Sequence, residues 1–218
     1  MPEPIPSPDA RRPDPDKAER VRRMFAAIHE HYDRLNRLMT LGWDLAWRRA
    51  ALREAALPRG GFLLDVATGS GDVLLQAARL YPHARAVGVD FTSEMLADEA
   101  FDAVVSAFMM RNVADVPRAL AEQARVARPG GRVVCLELAW PRVLLFRWLF
   151  ALYFRRIIPW LGGLLSGHPE AYRYLPESVI GFFTREEMLA FLEGAGLVRV
   201  RSRTLAGGSV ALYVGERA

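Results

Sequence analysis

Residues 63–72 read Leu63-Leu64-Asp65-Val66-Ala67-Thr68-Gly69-Ser70-Gly71-Asp72, and this stretch decides the fold. An apolar run from Phe62 to Ala67 ends in a turn of small residues. A helical pattern opens at Asp72, with Val73, Leu74, Ala77 and Ala78 on one side. Strand, glycine-rich turn and helix, in that order, make a nucleotide site in α/β domains. Small residues let the backbone approach the ligand closely, and the helix N-terminus offers N–H groups without intrahelical partners. Nineteen residues past Gly71, a second apolar run (Ala86 to Val89) ends in Asp90. An acid at that place can take the two hydroxyls of a ribose. On its own the pattern is weak, because glycine-rich turns are common and a tight strand–helix connection with no ligand is the alternative.

The flanks extend the same alternation. Phe101 to Phe108 has the β-branched and aromatic content of a buried strand and leads into Met109-Met110-Arg111-Asn112. Asp115 can cap the next helix with Pro117 in its first turn, and Pro129-Gly130-Gly131 stops that helix after Arg128. A strand from Arg132 to Leu138 follows. Upstream, Val21, Met24, Phe25, Ile28, Tyr32 and Leu35 recur at helical spacing, and a second helix spans Asp44 to Leu57. Downstream, Thr184 with Glu187 forms a capping box. The strand from Leu197 to Arg203 sets Arg199, Arg201 and Arg203 against Val198 and Val200, which predicts one wet face, and Ser209 to Val214 closes the chain. Alternating strands and helices predict an α/β, doubly wound, mostly parallel sheet with N-terminal helices and a final strand pair that can be antiparallel. In such a sheet the ligand sits at the carboxyl ends of the strands. The groups there are Ser70, Asp90, Ala107 to Asn112, and Glu137 to Trp140.

Composition bounds the function. The 218 residues make one domain, residues 16–218, behind a lead-in of residues 1–15 that carries six prolines and is expected to be disordered. The single cysteine, Cys135, lies in an apolar run and offers neither a disulfide nor a cysteine-rich metal site. No secretory signal is visible, which predicts a cytoplasmic protein. Of 29 basic residues only Lys17 is a lysine, and the formal net charge is +4. No zinc-finger, helix-turn-helix or RNA-stacking signature accompanies that charge, so nucleic acid is set aside and an anionic membrane surface remains. Residues 141–180 form an apolar insertion. Its first part would suit a membrane span by length, but Arg147, Arg155, Arg156 and Pro159 argue against one. Two readings stay open: an amphipathic element on a bilayer or over a greasy substrate, and an ordinary buried helix pair.

Taken together, these stretches resemble the class I S-adenosylmethionine-dependent methyltransferases, and among them the menaquinone/ubiquinone biosynthesis C-methyltransferases. Asp65 to Asp72 is similar to the cofactor loop of that family, which likewise has no glycine where Ala67 stands. Tyr32-Asp33-x-Leu35-Asn36 through Trp47 resembles one family signature, with Leu35, Thr40 and Asp44 where Met, Ser and His are usual. Arg125 to Gly131 through Leu136-Glu137 resembles a second, with Arg128 for Lys and Ala139 for Ser. Phe108 to Val113 and Tyr172-Arg173-Tyr174-Leu175 match as well. The resemblance implies a Rossmann-like fold with a helical insertion after the fifth family strand. It implies S-adenosyl-L-methionine as cofactor, held by Asp65, Ala67, Gly69, Ser70, Gly71, Asp90, Phe91, Met95 and Ala107, and no metal. The implied reaction is methyl transfer to a ring carbon of a polyprenylated quinol. Arg111 and Asn112 are the candidates at the quinol oxygen, and Tyr32, Asn36, Tyr172 and Tyr174 line the substrate pocket. Arg111 is a poor base, because guanidinium keeps its proton, and suits a developing phenolate better. A membrane-resident tail implies peripheral contact with the inner face of the membrane, and a homodimer is compatible with the sequence.

The chain departs from that family in one place. Only ten residues, 91–100, separate Asp90 from the next strand, where the family has about 30 more: the rest of a helix, a third strand and a motif that contacts the adenine. Ten extended residues reach at most about 33–36 Å, enough for a return along the sheet and too short for a helix with its loops. The sheet is therefore expected to lack its outer strand, number three of the family, and with it the adenine wall. Whether the passage is missing from the protein or only from these 218 residues stays open at this level. The alternatives are a benzoquinol methylation of the ubiquinone pathway and an inactive methyltransferase-like binding protein.

Overall fold

A computed structural model of the chain describes residues 15–90, 96–141, 143–158 and 169–218. The proline-rich lead-in, residues 1–14, lies outside the described residues, as do Phe91 and Met95 and the side chains of Tyr32 and Tyr172. Pro15, expected in the lead-in, instead opens the first helix, where its missing N–H costs nothing.

Two helices lead, α1 (Pro15–Met39) and α2 (Trp43–Ala55). The Rossmann-like part follows as β1 (Phe62–Val66), α3 (Asp72–Leu80), β2 (Arg85–Val89), β3 (Phe101–Ala107), α4 (Val116–Val126) and β4 (Ala127–Leu138). Next come α5 (Leu144–Leu152), running into a π-helical turn at Tyr153–Ile157, then α6 (Pro169–Ile180) and α7 (Arg185–Gly194). The strands β5 (Leu197–Leu205) and β6 (Val210–Arg217) close the fold. The sheet order is β2-β1-β3-β4-β6-β5. The first four strands are mutually parallel, β6 runs antiparallel to β4, and β5 runs antiparallel to β6.

Alternation along the central strands divides the core. Leu64, Val104, Val133 and Cys135 face α4 and α7 through Leu120, Met188 and Leu192. Leu63, Ala103, Val105, Val134 and Leu136 face α2 and α3 through Leu52, Val73 and Ala77. Both faces of the sheet are therefore covered, as parallel strands require. Local chemistry sets the helix ends. Asp115 accepts the Arg118 N–H at the start of α4, and Thr184 and Glu187 complete the capping box of α7.

Among the described residues β2 ends one side of the sheet and no strand lies outside it, as the short link implies. From β2 the chain crosses over β1, about 10 Å sideways, and must also run back the length of a five-residue strand, about 17 Å. Ten extended residues have the contour length for that. The link rejoins the body through Arg125, whose guanidinium donates to the Leu96 carbonyl and pairs with Asp98, while the Glu99 and Ala100 N–H groups donate to the Arg125 and Val126 carbonyls.

Two expectations are revised. α4 stops at Val126 rather than Arg128, because Ala127 already pairs with Phe101 across β3. The alternation of β5 breaks at a bulge between Val198 and Arg201, where Arg199 takes a positive φ of 50°. The bulge turns Val198 outward. Arg199, Arg201 and Arg203 remain exposed and pair with Glu216 and Glu54.

Candidate active site

The loop after β1 is built from backbone conformation. Ala67, Gly69 and Gly71 all lie in the left-handed region, with φ of 58°, 51° and 81°. Glycine takes that conformation freely; Ala67 does so at a cost on the order of 1 kcal/mol. The loop is stitched to the neighbouring strand by two bonds. The Thr68 N–H donates to the Val89 carbonyl (3.1 Å), and the Gly69 N–H donates to Asp90 Oδ2 (2.7 Å). Below it, Thr68 Oγ1 donates to Asp65 Oδ2 at 2.7 Å. Gly71 is the N-cap of α3 and brings no side-chain cap, so the first N–H groups of that helix keep their capacity for an anionic group. A Cβ added at Gly69 or Gly71 would meet nothing within 4 Å, so the loop faces open space. These features fit the cofactor the resemblance implies: left-handed turns with no side chain over them, an uncapped helix start and a carboxylate, Asp90, at the sheet's edge.

Burial sets the chemistry beneath. Asp65 is 1% exposed, and loss of solvent pushes its carboxyl up to about 7, against the Thr68 hydrogen bond and the attraction of Arg48. Gly88 on β2 has a steric role that the sequence does not announce. A Cβ there would stand 2.5 Å from Thr68 Oγ1 and 2.8 Å from Leu74 Cδ1. Gly88→Ala is therefore expected to push Thr68 off Asp65, lower stability by about 1–3 kcal/mol and weaken cofactor binding. Thermal unfolding and calorimetric titration check this, and an unchanged affinity would mean that Thr68 moves without consequence.

A second cluster stands at the ends of β3 and β4. Met110–Asn112 forms a short 3₁₀ turn, and Arg111 and Asn112 are both buried. The Arg111 guanidinium donates to Glu137 Oε1 (2.5 Å) and to the Phe108 carbonyl (2.8 Å), and its backbone N–H donates to Glu137 Oε2 (3.1 Å). Glu137 also accepts the Leu138 N–H at 2.7 Å, so the carboxylate is well held with no solvent exposure. Asn112 Nδ2 donates to the Phe108 carbonyl (3.3 Å), and the Tyr174 hydroxyl of α6 donates to Asn112 Oδ1 (3.2 Å). Burial raises the Tyr174 hydroxyl pKa, which keeps it a donor. Phe108, with a φ of 60°, turns the chain between the two clusters just past Ala107.

The N-terminal helices close the site from the side. Asp44, almost wholly buried, accepts from Arg48 (2.7 Å) and Thr40 (3.0 Å) and lies 3.6 Å from Arg37. Arg37 also reaches Asp72, the first residue of α3, at 3.0 Å. Arg48 lies over the Phe108 ring, 5.3 Å from its centroid. In the sequence pattern Asp44 stands out only as a departure from the family, and Arg37 and Arg48 belong to no motif; the one sequence signal for them is charge and spacing, i and i+4 for Asp44 and Arg48. Asn36, half-buried on α1, accepts from Thr40 through its carbonyl. Leu35 and Met39 of α1 pack with Val179 of α6, so these two helices share one small core.

The structure thus brings Asp65, Ala67, Gly69, Ser70, Gly71 and Asp90 to one loop. It brings Arg111, Asn112 and Tyr174 to one cluster. Among the described residues no group of side chains could hold a metal.

The profile of the ubiE/COQ5 methyltransferase family matches residues 15–99 and 96–217. A demethylmenaquinone methyltransferase of Roseiflexus castenholzii is 41% identical, covering 93% of this chain and 96% of that protein. A ubiquinone/menaquinone biosynthesis C-methyltransferase UbiE of Geotalea uraniireducens is 38% identical, covering 93% and 98%. The first alignment spans 228 positions but 93% of 218 residues, so about 25 positions have no counterpart here. The two matched stretches meet at residues 96–99, at the short link after β2. Among solved structures, a SAM-dependent methyltransferase from Aquifex aeolicus superposes with a TM-score of 0.52 at 18% identity, covering 78% of this chain and 89% of that one. The [4+2]-cyclase SpnF does so with 0.55 at 15%, covering 79% and 80%. Likeness at that level concerns the fold, which hosts more than one chemistry.

Proposed function

The chain belongs to the ubiE/COQ5 methyltransferase family, and on that premise we propose that it methylates a ring carbon of a reduced, polyprenylated quinol, converting a demethylmenaquinol to a menaquinol. It is an S-adenosylmethionine-dependent methyltransferase. The menaquinone reading draws on relatives from Roseiflexus castenholzii and Deinococcus radiodurans that carry the name demethylmenaquinone methyltransferase. The observation that carries the proposal is the juxtaposition of two unlike clusters: an open glycine turn running into an uncapped helix start, and a buried cation with polar neighbours across Phe108.

S-adenosylmethionine, when bound, supplies an electrophilic methyl group. The backbone of Ala67, Gly69, Ser70 and Gly71 and the start of α3 would hold its amino-acid part, with Asp65 beneath. Asp90 would take the ribose. Phe91, Met95 and Ala107 are assigned to the remainder of the cofactor. On the acceptor side, Arg111 is fixed by Glu137 and offers permanent positive charge to a quinol oxygen as it loses its proton. Asn112 and the Tyr174 hydroxyl would orient that oxygen, and the family resemblance assigns Tyr32, Asn36 and Tyr172 to the substrate as well. A ring carbon of the quinol would take the methyl from sulfur, leaving the cofactor as the thioether, with the phenol and ring protons passing to water. Holding the carbon in line with the methyl, about 3–3.5 Å away, is the chief task of such a site. Since the prenyl tail resides in lipid, the chain works at the cytoplasmic face of a membrane.

Incubation with labelled S-adenosylmethionine and reduced demethylmenaquinone is expected to place label in the naphthoquinol ring. Label appearing only in a benzoquinol would move the reaction to the ubiquinone pathway. Cofactor binding with no transfer to either acceptor would make the chain a binding protein.

A further inference from the structure

We propose that α5 and the corner between α1 and α2 form one docking face for an anionic lipid surface; this rests on the quinol reading for its purpose and on its own observations for its place. On α5, Phe146, Trp148, Leu149 and Leu152 are all exposed, and at 100° per residue they fall within an arc of about 160°. An ordinary surface helix turns that arc inward. Trp148 is 64% exposed. The corner after α1 does the same on a smaller scale, with Leu41 at 82% and Trp43 at 62%. The two patches are tied together. The Tyr153 hydroxyl at the end of α5 donates to the Met39 carbonyl at 2.6 Å, and Ile158 packs with Leu35 and Met39. Leu41 lies two residues beyond Met39.

Charge selects the occupant. Between Glu137 and Glu170 the sequence has no acidic residue and four arginines, Arg142, Arg147, Arg155 and Arg156. Soluble surfaces intersperse both signs. A segment whose sequence joins apolar residues and tryptophan to cationic charge alone instead has the composition of an element that lies in the headgroup region of an anionic leaflet. α5 has nine residues, about 14 Å of helix, and no described helix is long and apolar enough to cross a membrane. The face therefore rests on the bilayer rather than passing through it. That position sets the site beside the lipid in which a prenylated quinol resides.

The test uses the full chain with phosphatidylcholine vesicles, with and without phosphatidylglycerol, and no quinone. Binding is expected to vesicles that contain phosphatidylglycerol and to weaken as salt rises. Trp148→Glu and Leu41→Glu should each lower partition roughly tenfold or more. Both variants should methylate a short-tailed, water-soluble quinol at the parent rate and lose activity only on a long-tailed quinol held in vesicles. Absence of vesicle binding, equal binding to neutral vesicles, or variants that bind like the parent would each overturn the proposal. A dimer in solution that Trp148→Glu dissociates would reassign the face to a second copy. Failure with the soluble quinol, alongside intact lipid binding, would instead count against the quinol reading alone.

Discussion

Arg111→Ala should destabilise the chain by about 3–5 kcal/mol, a large share of the stability of a domain this size. Glu137 has no solvent exposure, and its partners are the Arg111 guanidinium and the N–H groups of Arg111 and Leu138. Removing the guanidinium leaves a buried carboxylate without its counter-charge, which costs far more than the net worth of the pair. Loss of activity in this variant alone would therefore say nothing about catalysis. Arg111→Met combined with Glu137→Leu removes both charges and keeps most of the volume, so it should recover most of the stability. If Arg111 stabilises the phenolate, the double variant should bind S-adenosylmethionine as the parent does and yet turn over about 10²–10³ times more slowly. Full activity in a folded double variant would reduce the pair to a structural role. Chemical denaturation, calorimetry and labelled-methyl transfer on the same preparations separate these outcomes.

Asp65→Asn should act in the opposite direction on stability. Burial holds the folded-state carboxyl near 7, whereas in the unfolded chain it titrates near the ordinary value of 3.8. Below that ordinary value both states are protonated and the group is neutral to folding. Between about 4 and 7 the unfolded state ionises first, so stability falls as pH rises, and the full loss, on the order of 4 kcal/mol, stands above 7. Asparagine can still accept the Thr68 hydroxyl but has no charge to bury. The variant should show a flat profile across that window and exceed the parent at pH 8. Cofactor binding should move the other way. A cationic ligand on the loop favours the ionised carboxylate, so parent affinity should climb with pH towards 7 and level off above, while the variant binds weakly throughout. A parent whose unfolding free energy is constant from pH 4 to 8 would refute the shifted titration. The acid is thus held at a cost to stability at a site that is expected to use its charge.

How far the sequence could be read follows the range of the forces involved. Strand, turn and helix around Gly69 and Gly71 were legible because turn chemistry and side-chain period act over a few residues. So was the loss of the outer strand, because chain length bounds what ten residues can do. The bulge at Arg199 was not, since an unbroken alternation of arginine and valine carries no sign of one inserted residue. Nor was the packing of Gly88 under Thr68, which depends on how closely β2 approaches a loop twenty residues earlier.

By itself the sequence determined the alternation of elements, the glycine turn that opens the cofactor loop, the acid at the end of the second strand and the shortened link behind it, because each is a matter of local conformation or contour length. Only the tertiary structure decided which charges meet. Arg111 and Glu137 lie 26 residues apart and Arg37 and Asp72 lie 35 apart, and folding closes those distances to hydrogen-bond contact. It also decided that Asp65 is buried and that the apolar arc of α5 is not, because solvent access belongs to the packed surface and to no single stretch of chain.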